Sequence, residues 1–213
     1  MSKFLGPVHF WLHSKITLHE AIEVACEARL TDLGYNLDSL KKWDDLYSKP
    51  NPNESLESVI DEGNIHGWLQ KRIGFAETRF AGKITDLKAA HGNEILKELH
   101  PIFESYATLS AQQLVDSGTW DNSLQSAHKL LHNQILEGMP CDHGGAVTIN
   151  DENLFQWKND KCLHQGFWVA VNGNVEDHNQ FRDTFNNAFF KTLGTINYAR
   201  TVQNGSTYYQ INR

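Results

Sequence analysis

Apolar residues recur at helical spacing over most of this chain. Residues 8–31 carry them at Ile16, Ala21, Val24 and Ala28. Pro7 suits a first helical turn, and Gly34 can end the run. A shorter helix fits 37–48. The stretch Lys49-Pro50-Asn51-Pro52-Asn53 cannot be helical and reads as a linker, with a new helix starting near Ser55. The pattern resumes from Ile65 to Ala90 despite Gly67, Gly74 and Gly82. Each interior glycine costs about 1 kcal/mol against alanine, a cost that the close approach of a neighbour would explain. Residues 94–115 form another helical stretch, in which Pro101 predicts a kink or a fresh start. A loop over 116–122 precedes a helix that runs to about Glu137 and stops at Gly138.

Beyond that point the texture changes. Residues 138–145 read as a loop, and Gly166–Val171 as a strand or a buried helical turn. Residues 175–194 are helical again, with Phe181, Phe185, Phe189 and Leu193 at intervals of four. Asn204-Gly205 lies between two β-like runs and predicts a hairpin. The fold class expected is mainly α: an up-and-down helical bundle with internally repeated helices and a small β or irregular C-terminal part. Residues 1–137 would form the bundle. Residues 138–213 would pack a loop, a helix and the hairpin on it, all within one domain.

One segment is nearly repeated. His9-Phe-Trp-Leu-His-Ser-Lys-Ile16 returns 57 positions later as His66-Gly-Trp-Leu-Gln-Lys-Arg-Ile73, and Glu20 and Glu77 each lie eleven residues after their histidine. A weaker copy is His128-Lys-Leu-Leu-His132-Asn-Gln-Ile135. At 100° per residue, steps of four, seven and eleven keep His9, His13, Ile16 and Glu20 on one stripe, with His66, Gln70, Ile73 and Glu77 on its counterpart. The isoleucine in each stripe turns it inward, and a histidine or glutamate buried there needs a partner. His9 and Glu20 are roughly 16 Å apart along the helix and cannot share an ion. In an antiparallel bundle, however, the histidine of one helix would meet the acid of a neighbour.

Composition narrows the functional classes. The formal net charge is −7 and no Lys/Arg block interrupts it, which argues against nucleic acid. No run approaches the roughly 18 apolar residues of a membrane span, and the N-terminal residues lack the marks of a signal peptide. A cytoplasmic location is therefore expected. The three cysteines, Cys26, Cys141 and Cys162, are too few and odd in number for a disulfide scaffold. Eleven histidines are about twice average usage, which points to metal, pH sensing or proton transfer. There is no phosphate-binding glycine loop, dinucleotide fingerprint or nucleophile elbow.

The i, i+4 spacing of His128 and His132, and of His9 and His13, points two imidazoles along one helix face, as two-histidine metal motifs require. Cys141-Asp-His143 and Cys162-Leu-His164 offer an S₂N₂ donor set that suits tetrahedral zinc. Alternatively, Cys141 in its Gly/Pro-rich loop would be an exposed nucleophile.

The order His66, His100-x-x-x-Glu104, His128-x-x-x-His132, His178-x-x-x-x-Asp183 resembles that of the hemerythrins, four-helix bundles that hold a non-haem di-iron centre. The resemblance would make those seven residues iron ligands. His128-x-x-x-His132 together with Cys162-Leu-His-Gln-Gly166-Phe-Trp168 resembles the chemoreceptor zinc-binding domain, and implies His128, His132 and Cys162 as zinc ligands. The order of those elements is reversed here, and one extra residue separates the cysteine from the glycine.

The function expected is binding of a transition metal, zinc or iron, with a sensor role as one form of it. The metal candidates are His9, His66, His128, His132, Glu20, Glu77, Cys141 and Cys162. A di-iron oxygen-using protein, a thiol enzyme around Cys141 and a metal-free interaction domain are the alternatives. A homo-oligomer stays open.

Overall fold

A computed structural model describes residues 5–142 and 145–213. Helices dominate it, with a four-stranded antiparallel sheet toward the C-terminus. The chain divides into two compact units that interleave along the sequence rather than meeting at residue 137. One comprises Met1–Leu99, Gln134–Met139 and His164–Val175; the other comprises His100–Asn133, Pro140–Leu163 and Glu176–Arg213. No helix among the described residues is long and apolar enough to cross a membrane.

The first unit is built on two long helices, α1 (Pro7–Asp32) and α4 (Ile65–His91). Between them lie a 3-10 turn over Asp38–Leu40, α2 (Lys41–Tyr47) and the single turn α3 (Leu56–Val59). Helix α4 is central, packing on α1, α2 and the later α7 (Gln165–Ala170). Every residue from Ala76 to Ile84 is buried, so the middle of α4 is covered on all sides.

α1 and α4 run parallel, because partners climb both helices together. His9 meets His66, Glu20 meets Arg72 and Arg79, and Glu27 meets Lys83. Equivalent residues of the repeat share one apolar cluster, Leu12 with Leu69 and Ile16 with Ile73, closed by Ala76, Leu136 and Met139. An antiparallel pairing of these two copies, with histidine opposite acid, is not what the chain adopts. A parallel pair needs a long return connection, which the 33–64 segment supplies.

Gly82 explains one of the glycine costs in α4. A Cβ there would lie 2.5 Å from the ring of Trp43, whose indole N–H donates to Asp86 at 2.7 Å. Gly82→Ala is expected to push α2 off α4 and lower stability by about 1–3 kcal/mol, the usual penalty of overpacking. Urea unfolding measures it.

The second unit holds α5 (His100–Asp116), α6 (Leu124–Gln134, all but its last residue) and α8 (Val175–Gly194, all but its first). It also holds strands β1 (Gly145–Asn150), β2 (Leu154–Asn159), β3 (Asn197–Gln203) and β4 (Ser206–Asn212), in the order β1-β2-β4-β3. Pro101 stands in the first turn of α5 and so marks a new start, not a kink. Asn204 and Gly205 both have positive φ, 52° and 83°, as the two-residue turn between β3 and β4 demands. Phe181, Phe185 and Phe189 line the buried face of α8, and Phe103 of α5 stacks on Phe181 at 4.6 Å.

The β1–β2 hairpin is an element that the helical and turn patterns did not predict. Its signal was present, since Phe155 and Trp157 alternate and Asn150-Asp-Glu-Asn153 is a turn sequence. But β1 is an exposed edge strand, and its short alternation of Val147 and Ile149 is hardly buried. Gly166–Val171 resolves as helix α7, with Trp168 fully buried.

Candidate functional site

The acid-bearing stripe of α1 does not meet imidazoles. Glu20, Glu23 and Glu27 fall on one face, and α4 answers with Arg72, Arg79 and Lys83. Arg79 has no exposed surface. Its Nε and Nη2 donate to Glu23 at 2.8 and 2.9 Å, Nη2 also reaches Glu20 at 3.1 Å, and Nη1 donates to the carbonyls of Tyr47 and Ser48. Arg72 bridges Glu20 and Glu54, and the backbone N–H of Asn51 donates to Glu20 at 3.0 Å. Glu20 is therefore committed to two guanidinium groups and is corrected from metal ligand to ion-pair partner.

Burial alone would raise the Glu23 carboxyl. Arg79, by hydrogen bond and charge, and then Lys83 outweigh it and hold Glu23 below the ordinary carboxylate value. Glu23, Glu27 and Asp44 bring carboxylate oxygens together as a cation site would. The ammonium of Lys83, 2.5–2.8 Å from each, already stands as the cation. This network was missed in the sequence. Its signal is the spacing of Glu20, Glu23 and Glu27 against that of Arg72, Arg79 and Lys83.

The other metal candidates scatter. His9 uses its Nδ1 to accept from the N–H of Gly6 at 3.0 Å, closing the first turn of α1 as the third residue of a capping box does. His66 is exposed, with its ring edge-on to His9 at 6.1 Å. Cys141 and Cys162 are exposed free thiols, and His143 lies outside the described residues. Of the hemerythrin-like positions in the second unit, Asp183 is held by Tyr198 and Arg200 at 2.8 Å each. His100 pairs with Thr184 at 2.6 Å, Glu104 is exposed, and His178 is buried on α8. His128 and His132 do share one face of α6, with ring centroids 4.3 Å apart. They pack against Phe155 and Trp157, half-buried in an aromatic setting.

The metal candidate that reaches a buried imidazole is Glu77. A two-residue step turns a helix by 200°, so Glu77 points away from the Arg79 side of α4 and toward the α7 segment. There the Nδ1 of His164, just before α7, lies 3.1 Å from Oε1 of Glu77. The carboxylate can only accept, so His164 donates, and its neutral tautomer keeps the lone pair on Nε2. Both residues are buried, Glu77 at 2% and His164 at 8% exposure. The sequence gives Glu20 and Glu77 the same place in a repeat; the fold gives one arginines and the other an imidazole.

His13 shows what burial does to an imidazole that no carboxylate hydrogen-bonds. Its Nε2 is buried and has no hydrogen-bond partner among the described residues. Burial first, and then the charge of Arg72, lower its affinity for protons, against the pull of Glu20 and Glu57. The unfolded chain takes up this proton near pH 6.5, whereas the folded chain waits for lower pH. Stability is therefore complete above about pH 6.5 and falls as pH drops toward the folded value. Unfolding free energies at pH 8 and pH 5.5 should differ less in His13→Leu than in the parent. His100 shifts the same way through burial and leaves a residual dependence.

Comparison with protein-family models, curated proteins and solved structures gives no match.

Proposed function

We propose that the protein binds a transition metal, zinc or iron, through Nε2 of His164, with Glu77 holding the opposite ring nitrogen. The observation that carries this is the buried Glu77–His164 hydrogen bond. A carboxylate on Nδ1–H fixes the ring and makes Nε2 a stronger donor, the arrangement that supports metal-ligating histidines. An imidazole offsets a buried carboxylate's charge only when protonated. A divalent ion on the far nitrogen supplies positive charge while the ring stays neutral. Zinc sites take three or four protein ligands, so this pair anchors a shell and does not complete it.

The internal repeat enters this reading as a duplicated helix within a helical bundle. The first copy joins the scaffold through Glu20, and the second carries the site through Glu77. The thiol-enzyme alternative lacks comparable support, since Cys141 has no hydrogen-bonding imidazole or carboxylate among the described residues. Elemental analysis of protein made without a histidine tag tests the proposal. Stoichiometric zinc or iron is expected, and an absorption spectrum separates them because zinc has a filled d shell. Protein that retains only trace metal after incubation with either ion and dialysis would refute it.

A further inference from the structure

The chain contains two Asn-Gly dipeptides, Asn172-Gly173 after α7 and Asn204-Gly205 between β3 and β4. Asparagine is a thermolabile residue, and a following glycine makes it more so. The main-chain nitrogen after the asparagine can attack the side-chain amide carbon, and glycine sets no Cβ in the way. Both asparagines are exposed, and both take positive φ, 57° at Asn172 and 52° at Asn204. The two sites therefore differ in the attacking nitrogen, not in the asparagine.

At Asn172 that nitrogen is held. The Gly173 N–H donates to the carbonyl of Trp168 at 2.8 Å. A Cβ at Gly173 would lie 2.5 Å from Oγ1 of Thr85 and 3.0 Å from the ring of Trp168, so the glycine is wedged against α4. Attack needs the nitrogen to turn toward the Asn172 side chain, which breaks this bond against crowded walls. At Asn204 neither restraint exists. Among the described residues the Gly205 N–H donates to no group, and no atom lies within 4 Å of where a Cβ would stand. The dipeptide is the tip of a hairpin whose outer strand, β3, pairs with β4 alone. Loop tips of this kind open locally at little cost.

We infer that Asn204 is a site of spontaneous covalent modification, through a cyclic imide formed with Gly205, and that the fold spares Asn172. The Gly205 nitrogen gives up its proton and bonds to the side-chain carbonyl carbon of Asn204. That carbon expels its amino group, which takes up the proton and leaves as ammonia. Water then opens the five-membered imide at one of its two carbonyls. Opening at the side-chain carbonyl gives aspartate, and opening at the main-chain carbonyl gives isoaspartate. Water is the only co-reactant. Either product adds one negative charge. Aspartate keeps the turn, because Asp-Gly suits it as Asn-Gly does. Isoaspartate lengthens the main chain by one carbon, against the pairing of Gln203 with Ser206 that closes the hairpin.

Peptide mapping by mass spectrometry of the full-length protein, held for days in mildly alkaline buffer, tests the site. Asn204 is expected to show the amide-to-acid mass gain about tenfold faster than Asn172, because attack at Asn172 waits for a local opening. In urea that unfolds the chain, the two should convert at similar rates. Isoaspartate should accompany aspartate at position 204, with Asn204→Asp supplying the chromatographic standard for the latter. Equal rates at the two asparagines in the folded protein would overturn the proposal. So would conversion of Asn172 first, conversion of Asn204 in urea alone, or aspartate as the sole product, which would mean direct hydrolysis of the side chain.

Discussion

Arg79→Met should be the most damaging single substitution in the first unit. Among the described residues, Arg79 is the one guanidinium with no exposed surface. It ties Glu23 and Glu20 of α1 to α4, and it holds the carbonyls of Tyr47 and Ser48 at the end of α2. Methionine fills much of the volume but leaves Glu23 leaning on Lys83 alone and two carbonyls without their donor. Removing one partner of a buried ion pair costs about 3–5 kcal/mol, since the remaining charge stays desolvated. For a chain of this length that lowers the melting temperature on the order of 10 °C. The double variant Arg79→Met/Glu23→Leu should recover part of the loss, because two apolar groups of similar volume often match a buried pair. A cost under about 1 kcal/mol for Arg79→Met would mean that apolar packing alone joins α1 to α4.

The same network sets an acid limit. Glu23 holds its proton less tightly in the folded chain than in the unfolded one. Its contribution is complete above the ordinary carboxylate value, about 4.3, and is lost as pH falls through the lower folded value.

The second large effect is on metal. His164→Ala removes the proposed nitrogen ligand and should abolish stoichiometric binding. Glu77→Gln keeps the shape but replaces the charged acceptor on Nδ1–H, and should weaken affinity about 10- to 100-fold, as loss of such supporting carboxylates does. Added zinc should raise the melting temperature of the parent protein, since a ligand that binds only the folded state stabilises it. The shift should vanish in His164→Ala and shrink in Glu77→Gln. His128→Ala should leave both metal content and the zinc shift intact. Full metal retention in His164→Ala, with loss in His128→Ala, would move the site to α6 and end the reading built on His164.

Much of the local structure was legible before any coordinates. Helical spacing marked α1, α4 and α8. Pro101 marked either a kink or the start that α5 makes, and Asn204-Gly205 the turn between β3 and β4. These depend on backbone preference and on one buried face, both written into neighbouring residues. The burial of Glu20 and Glu77 was legible too, because the stripe that carries each of them also carries an isoleucine. What a stripe faces is a different matter. Glu20 met arginines and Glu77 met His164, although the sequence treats the two acids alike. Periodicity fixes the angle of a side chain about its own helix and is silent on which helix lies opposite. The parallel pairing of α1 and α4, permitted by the long connection between them, put acids against cations. The approach of α7 brought an imidazole 87 positions distant to Glu77. Those partners are set by long-range packing, where the cost of burying a charge is met only by whatever group the fold delivers.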